Sequence, residues 1–164
     1  MEQEQYFYQS PIGVLRLANE ADALAELSFQ QEDMLPDNNP HPAAPILVAC
    51  IRQLDDYFSG ENLSFDLPLA QPGTAFQQKV WNGLLAIPAG RTCSYMDLSK
   101  KLGDPKAIRA VGTANGKNNI AIVVPCHRVI GSNGSLVGYA GELWRKQWLL
   151  AHEAKYSAGV QTLF

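Results

Sequence analysis

Ser94-Tyr95-Met96-Asp97-Leu98-Ser99-Lys100-Lys101-Leu102-Gly103-Asp104-Pro105-Lys106-Ala107-Ile108-Arg109-Ala110-Val111-Gly112-Thr113-Ala114 reads as two short helices joined by a tight turn. Ser94 can cap the first helix, since a serine side-chain oxygen accepts a free N–H of the first turn. That helix runs through Leu98 to Leu102, and Gly103 stops it. Asp104-Pro105 opens the second helix with a capping side chain and a proline at the first helical position, where no N–H is needed. Along the second helix Ala107, Ala110, Val111 and Ala114 make a small apolar stripe. Lys106, Arg109 and Thr113 lie on the polar side, at i, i+3 and i+7. Two helices joined this way have a helix-turn-helix pattern, which points Arg109 toward a nucleic-acid contact.

The charge distribution agrees. The net charge of −3 hides two opposed halves. Residues 1–74 hold two basic and twelve acidic side chains, and residues 75–164 hold eleven basic and four acidic ones. A basic half of this kind suits a polyanionic partner.

C-terminal to the helix pair, Asn115 to Asn119 reads as a loop and the apolar run Ile120–Val124 as a buried strand. The strand exits through Pro125-Cys126-His127-Arg128. A structural cysteine normally sits inside an apolar run. Cys126 instead lies between a proline and a histidine, with Arg128 close behind, and those neighbours favour the nucleophilic thiolate. Glycine-containing turns at 131–135 and 138–141 bracket a loop that can close over a pocket beside Cys126. The spacing then predicts a helix from about Glu142 to Ala154, with Trp144, Trp148 and Ala151/His152 on one face and the two tryptophans in the core. Glu153 falls at its end, where a carboxylate meets the unfavourable pole of the helix dipole. It reads either as a solvated residue or as a negative group placed to hold an imidazole.

N-terminal to the helix pair, Thr74-Ala75-Phe76-Gln77 matches a capping box. It opens a helix with Phe76, Val80 and Leu84 on one face, ending near Ile87-Pro88. Gln71-Pro72-Gly73 reads as a linker where the charge changes sign. Before it come a three-stranded antiparallel meander over residues 6–29 and a loop over 30–45. A helix over Ile46–Phe58 is stopped by Gly60 and buries Cys50. A short strand is expected over Ser64–Leu69. The predicted domains are therefore 1–72 and 73–164.

No run of apolar residues is long enough for a membrane helix. The acidic, polar start is unlike a signal peptide. Three cysteines (Cys50, Cys93 and Cys126) lack metal-ligand spacing and suit a reducing compartment. The expectation is a cytoplasmic monomer with no metal and no cofactor.

Taken together, these residues resemble the signature of the O6-alkylguanine-DNA alkyltransferases, also called methylated-DNA–protein-cysteine methyltransferases. The resemblance rests on Pro125-Cys126-His127-Arg128-Val129 with Asn118 eight residues before the cysteine, on Ser94-Tyr95, and on Ala107-Ile108-Arg109-Ala110-Val111-Gly112. Tyr139-Ala140-Gly141 and Trp148-Leu149-Leu150-Ala151-His152-Glu153 extend it. It implies an α+β two-domain fold: an N-terminal ribonuclease-H-like α/β domain and a C-terminal winged-helix, helix-turn-helix DNA-binding domain. It also implies single-turnover repair, in which the alkyl group of O6-alkylguanine in duplex DNA moves to Cys126. O4-alkylthymine stands as a second candidate substrate.

The roles implied are specific. His127 is the base acting through a water, and Glu153 orients and charge-balances it. Tyr95 gives a proton or hydrogen bond to the departing guanine, and Asn118 braces the turn before the cysteine. Arg109 fills the space of the flipped base from the minor groove. Lys106, Thr113, Arg128 and Ser94 are expected at the DNA, and Tyr139, Gly141 and Val137 at the pocket. Asn119 departs from the family, which usually has proline there. Ala121 and Val137 also shape the pocket mouth in ways that differ among members. A lesion-binding protein of the same fold is the alternative, but such proteins lack the acceptor cysteine. A cysteine hydrolase and a winged-helix regulator with a redox-sensing Cys126 are further alternatives. Hydrolases usually draw their histidine from elsewhere in the chain, and a regulator would read DNA sequence and ignore alkylated guanine.

Overall fold

The structure, a computed structural model, describes residues 3–134 and 142–161. The chain divides into two compact units. One is Met1–Pro72 with Asn119–Ala121, and the other is Gly73–Asn118 with Ile122–Phe164. Among the described residues no helix is long and apolar enough to cross a membrane.

The first unit is a meander with a helix on it. Strands β1 (Gln5–Ser10), β2 (Gly13–Glu20) and β3 (Ala23–Phe29) pair antiparallel in that order. Pro11-Ile12 and Ala21-Asp22 form the two tight connections. Helix α1 (Pro45–Ser59) packs against all three strands. Its buried stripe is Ile46, Leu47, Cys50, Leu54 and Tyr57. Each fully buried leucine of this kind contributes roughly 1.5–3 kcal/mol. Gly60 ends α1 at φ 84°, the left-handed conformation a glycine cap adopts without steric cost. The expected strand over Ser64–Leu69 does not form. Leu69 makes one isolated bridge to Leu24, flanked by Pro68, whose ring nitrogen has no hydrogen for a ladder.

Three residues expected in the second domain belong to this first unit. Leu27 donates to the Asn119 carbonyl (2.9 Å) and accepts from Ala121 N–H (2.8 Å). The Asn119 N–H is held by the Gln71 side chain. Ile120–Val124 is accordingly not a strand. Ile120 makes a single bridge, and Ile122 sits at φ 69°, which breaks extended pairing. The run is buried, as its apolar character demands, but its backbone turns.

In the second unit Thr74 caps helix α2 (Ala75–Leu85) through both bonds of the capping box. Val80, Trp81 and Leu84 are its buried face, while Phe76, in the first turn, is exposed. Helix α3 (Tyr95–Lys101) is capped by Ser94, and helix α4 (Ile108–Gly116) follows. Asp104 and Pro105 start a short 3-10 turn, Pro105–Ala107, before α4 begins. Lys106 therefore lies ahead of the helix rather than on it. Asn115, expected in a loop, falls in the last turn of α4. Both α2 and α3 pack against α4, and Trp81 Nε1 donates to the Ala114 carbonyl at 2.9 Å.

Two-residue strands β4 (Cys93–Ser94) and β5 (Val129–Ile130) pair in parallel. Helix α5 (Leu143–Gln161) packs against the turn at 126–128. It runs well past Glu153, so that carboxylate is not at a helix end. The buried face of α5 is Lys146, Leu149, His152 and Glu153, while Trp144 and Ala151 are exposed. Trp148 is half-buried, stacked on His152. The tryptophans thus do not define the core face of this helix. A cation and an anion with partners inside the unit do.

Candidate active site around Cys126

Cys126 begins a 3-10 turn, Cys126–Arg128, that follows Pro125. Its N–H donates back to the Val124 carbonyl at 2.8 Å. The tight turn lifts the thiol out of the apolar run while leaving it buried. Asn118 braces this geometry. Its Nδ2 donates to the Val124 carbonyl (2.9 Å) and lies 3.3 Å from Cys126 Sγ.

Burial raises the Cys126 thiol above its usual range. The Asn118 hydrogen bond, the Lys146 charge and the thiol's own backbone N–H pull it back only in part. The sulfur is thus a resting thiol at neutral pH, and the site must supply a base. The cation acting on it is Lys146. Arg128, expected from sequence to favour the thiolate, is engaged elsewhere.

His127 and Glu153 are both fully buried, with His127 Nε2 2.7 Å from Glu153 Oε2. Arg128 Nε donates to Glu153 Oε1 at 2.8 Å, and its Nη2 reaches Oε2 at 3.0 Å. Its Nη1 donates to the Ile87 carbonyl at 2.6 Å. Burial alone would raise the Glu153 carboxyl, but His127 and Arg128 outweigh it and hold the pKa near about 2. The carboxylate is ionised, so the hydrogen on His127 is on Nε2. Nδ1 is left with a lone pair and no partner among the described residues. Burial lowers the His127 pKa against the pull of Glu153, and the Arg128 and Lys146 charges lower it further. The neutral, basic form prevails.

Arg128 is not a DNA contact. Its guanidinium is buried, and all three of its nitrogens are bonded inside the unit. Its function is to complete the charge around Glu153. A lone buried carboxylate would be costly, while one held by an imidazole and a two-point guanidinium is stable.

Sequence reasoning missed Lys146, which is fully buried. Its Nζ donates to the Val129 carbonyl at 2.6 Å and lies 5.9 Å from the centre of the Tyr95 ring. Burial lowers its pKa to about 8, and the Cys126 charge acts to raise it. A signal existed: Lys146 and Glu153 are seven residues apart, two turns along one helix face. Tyr95, half-buried, is brought beside the Cys126 turn because β4 pairs with β5. Burial and the Cys126 charge raise its phenol, and a hydrogen bond from the Asn115 side chain lowers it.

On the outer surface of the helix pair, Lys106, Arg109 and Thr113 are exposed. Ala110, expected in the apolar stripe, is exposed beside Arg109, while Val111 and Ala114 are buried. Thr113 Oγ1 donates to the Arg109 carbonyl at 3.0 Å. Ser94 Oγ accepts from the Asp97 N–H at 2.9 Å, so its acceptor serves the helix cap. Val137, Tyr139 and Gly141 lie outside the described residues.

Two family models match the chain. The 6-O-methylguanine DNA methyltransferase ribonuclease-like domain spans residues 5–71, and the DNA binding domain of the same family spans residues 75–155. The chain belongs to the O6-methylguanine-DNA methyltransferase family. A constitutive methylated-DNA–protein-cysteine methyltransferase of Bacillus subtilis is 48% identical over 138 residues, covering 81% of this chain and 84% of that protein. A methylated-DNA–protein-cysteine methyltransferase of Mycolicibacterium paratuberculosis is 47% identical over 156 residues, covering 94% of each. The crystal structure of the Mycobacterium tuberculosis O6-methylguanine methyltransferase superposes with a TM-score of 0.83 at 44% identity over 94% of both chains. The same enzyme in complex with DNA gives 0.83 at 45% identity over 93% of both. The α+β fold is that of the family: a ribonuclease-like first domain and a helix-turn-helix DNA-binding second domain.

Proposed function

We propose that this methyltransferase repairs DNA by direct reversal, moving the alkyl group of O6-alkylguanine in duplex DNA onto Cys126. The observation that carries the assignment is the buried chain Glu153–His127 with its unpartnered Nδ1 in the residue next to a buried thiol. A binding-only protein has no use for a buried, carboxylate-held base in the residue next to a buried thiol.

The chemistry follows from the geometry. His127 Nδ1 takes the Cys126 proton through a water, and Glu153 balances the imidazolium that results. Asn118 and Lys146 stabilise the sulfur's negative charge. The thiolate attacks the alkyl carbon in line, the C–O bond breaks, and its electron pair stays on O6 of guanine. Tyr95 gives its proton or a hydrogen bond to the departing base, offsetting the charge on the ring. The product is a thioether that no neighbouring group can cleave, so each chain acts once.

The target atom lies inside the duplex, so the base must be extruded at roughly a few kcal/mol of unstacking. Arg109, exposed on α4 beside the small Ala110, suits entry from the minor groove. Lys106 and Thr113 flank that approach. The protein acts as a cytoplasmic monomer, with residues 1–72 and 119–121 in the ribonuclease-like domain and the rest of 73–164 in the alkyltransferase domain.

The test is intact-mass and peptide mass spectrometry after mixing the protein with a duplex containing one O6-methylguanine. The expected result is a gain of one methyl on the peptide holding Cys126, abolished in Cys126→Ser with duplex binding retained. Transfer retained in Cys126→Ser would overturn the assignment.

A further inference from the structure

We propose that Gln71 is a positioning residue for the transfer, a side chain that fixes the peptide joining Asn118 to Asn119 and thereby sets the amide that holds the Cys126 sulfur. This rests on the reading of Cys126 as the alkyl acceptor.

The outer edge of β3 brings two distant segments together. Leu24 donates to the Pro68 carbonyl (2.8 Å) and accepts from the Ala70 N–H (2.9 Å). Leu27 donates to the Asn119 carbonyl (2.9 Å) and accepts from the Ala121 N–H (2.8 Å). Residues 68–70 and 119–121 thus share one strand edge, each through a single parallel bridge. Gln71 follows the first segment directly, and its Oε1 accepts the N–H of Asn119.

That N–H lies in the plane of the peptide that begins at Asn118, because the bond between the two residues is planar. Holding it fixes the rotation of the Asn118 backbone about its own Cα–C bond. The Asn118 carboxamide then does the rest. Its Nδ2 donates to the Val124 carbonyl at 2.9 Å and lies 3.3 Å from Cys126 Sγ. One peptide and one side chain therefore lead from Gln71 to the reacting sulfur.

The bond lies at an exposed position, where water can satisfy the same N–H. Water cannot fix its direction. Direction matters because Ile122, where the chain leaves β3, is held at φ 69°. A β-branched residue keeps that conformation only where its surroundings impose it. The β3 bridge and Gln71 hold the chain before Ile122. The Val124 carbonyl holds it after, accepting from both Asn118 Nδ2 and the Cys126 N–H. Releasing the Asn119 N–H lets the strain relax through Asn118, and the amide turns away from the sulfur.

The test compares Gln71→Met, which keeps the length and loses the acceptor, with Gln71→Glu, which keeps an acceptor. Gln71→Met is repeated in an Asn119→Pro background, where there is no N–H to hold and the ring fixes φ. Three quantities are read: the single-turnover transfer rate from an O6-methylguanine duplex, the duplex affinity, and the pH midpoint of iodoacetamide alkylation on the Cys126 peptide, which needs no DNA. Lys146 and Tyr95, the titratable groups acting on the sulfur, are unchanged in every variant. Gln71→Met should slow transfer about threefold, the size of one hydrogen bond. It should also raise the midpoint by about half a unit, because Asn118 then supports the thiolate less. Gln71→Glu should transfer within about 1.5-fold of wild type, and Gln71→Met within about 1.5-fold of its Asn119→Pro parent. Duplex affinity should stay within about twofold. An unmoved midpoint in Gln71→Met would overturn the role of Gln71. An equal loss in Gln71→Glu, or in the Asn119→Pro background, would do the same, since the Asn119 N–H would then not be what Gln71 acts through. Failure of the wild type to gain a methyl on Cys126 would overturn the acceptor reading instead, and the midpoint would still decide whether Gln71 sets the sulfur.

Discussion

Replacing Glu153 by glutamine probes the site and its stability at once. The carboxylate accepts from His127 at 2.7 Å and from Arg128 at 2.8 and 3.0 Å, with no solvent exposure. Its pKa falls from the ordinary 4.5 to about 2. At ~1.36 kcal/mol per pH unit, this depression corresponds to ~3 kcal/mol of native-state stabilisation. The sign follows from linkage. The folded pKa is the lower one, so the stabilisation is fully present above about 4.5 and is lost as pH falls toward about 2.

Glu153→Gln removes this stabilisation and leaves the Arg128 guanidinium buried without its anion, so a loss of ~3–5 kcal/mol is expected. Urea unfolding followed by tryptophan fluorescence measures it directly, since Trp81, Trp144 and Trp148 all lie in the second unit. The variant should also lose much of the wild-type decline in stability between about pH 4.5 and 2. The double variant Arg128→Met/Glu153→Leu removes the charges together and should recover most of the stability at neutral pH without recovering transfer. If Glu153→Gln unfolded within ~1 kcal/mol of wild type at pH 7, the account of a strongly coupled buried network would be refuted.

Other consequences are equally open to measurement. Lys146→Met should raise the apparent pKa of Cys126 and slow iodoacetamide alkylation at neutral pH by about tenfold; unchanged alkylation would mean that Lys146 does not act on the sulfur. In the wild type, Lys146 loses its proton near about pH 8. The rise of thiol reactivity with pH should therefore flatten above that point, and Lys146→Met should remove the inflection. Arg109→Ala should weaken duplex binding and lower its salt dependence by about one counterion, as filter binding across a salt series can show, with iodoacetamide reactivity intact. Thr74→Ala, which removes the capping box of α2, should cost about 1 kcal/mol and lower the melting temperature by roughly 2–4 °C.

Much of this protein is legible in the chain because its signals are local. Thr74 with Gln77 and Ser94 with Asp97 each join residues three apart, and both caps form as the sequence predicts, while Asp104 with Lys106 caps a 3-10 turn just ahead of the predicted helix. Gly60 and Gly103 adopt positive φ, the conformation that lets glycine stop a helix. Cys126, His127 and Asn118 stand out because a thiol, an imidazole and an amide cluster around one proline-marked turn.

Packing across the chain decided the rest. An apolar run such as Ile120–Val124 specifies burial but not conformation, and its pairing partner, Leu27, is far away in sequence. Arg128, expected at the DNA and as a cation for Cys126, is bonded inside the unit instead. Its carboxylate partner is 25 residues on and reaches it only because α5 packs on the turn. Lys146 and Asn115 acquire their contacts to Val129 and Cys126 in the same way, from helix faces set by tertiary contact. The sequence by itself determined that a thiol, an imidazole and an amide meet at one turn. The tertiary structure decided their electrostatics, because in a buried site a charge is governed by the nearest partner in space, and that partner comes from another segment of the chain.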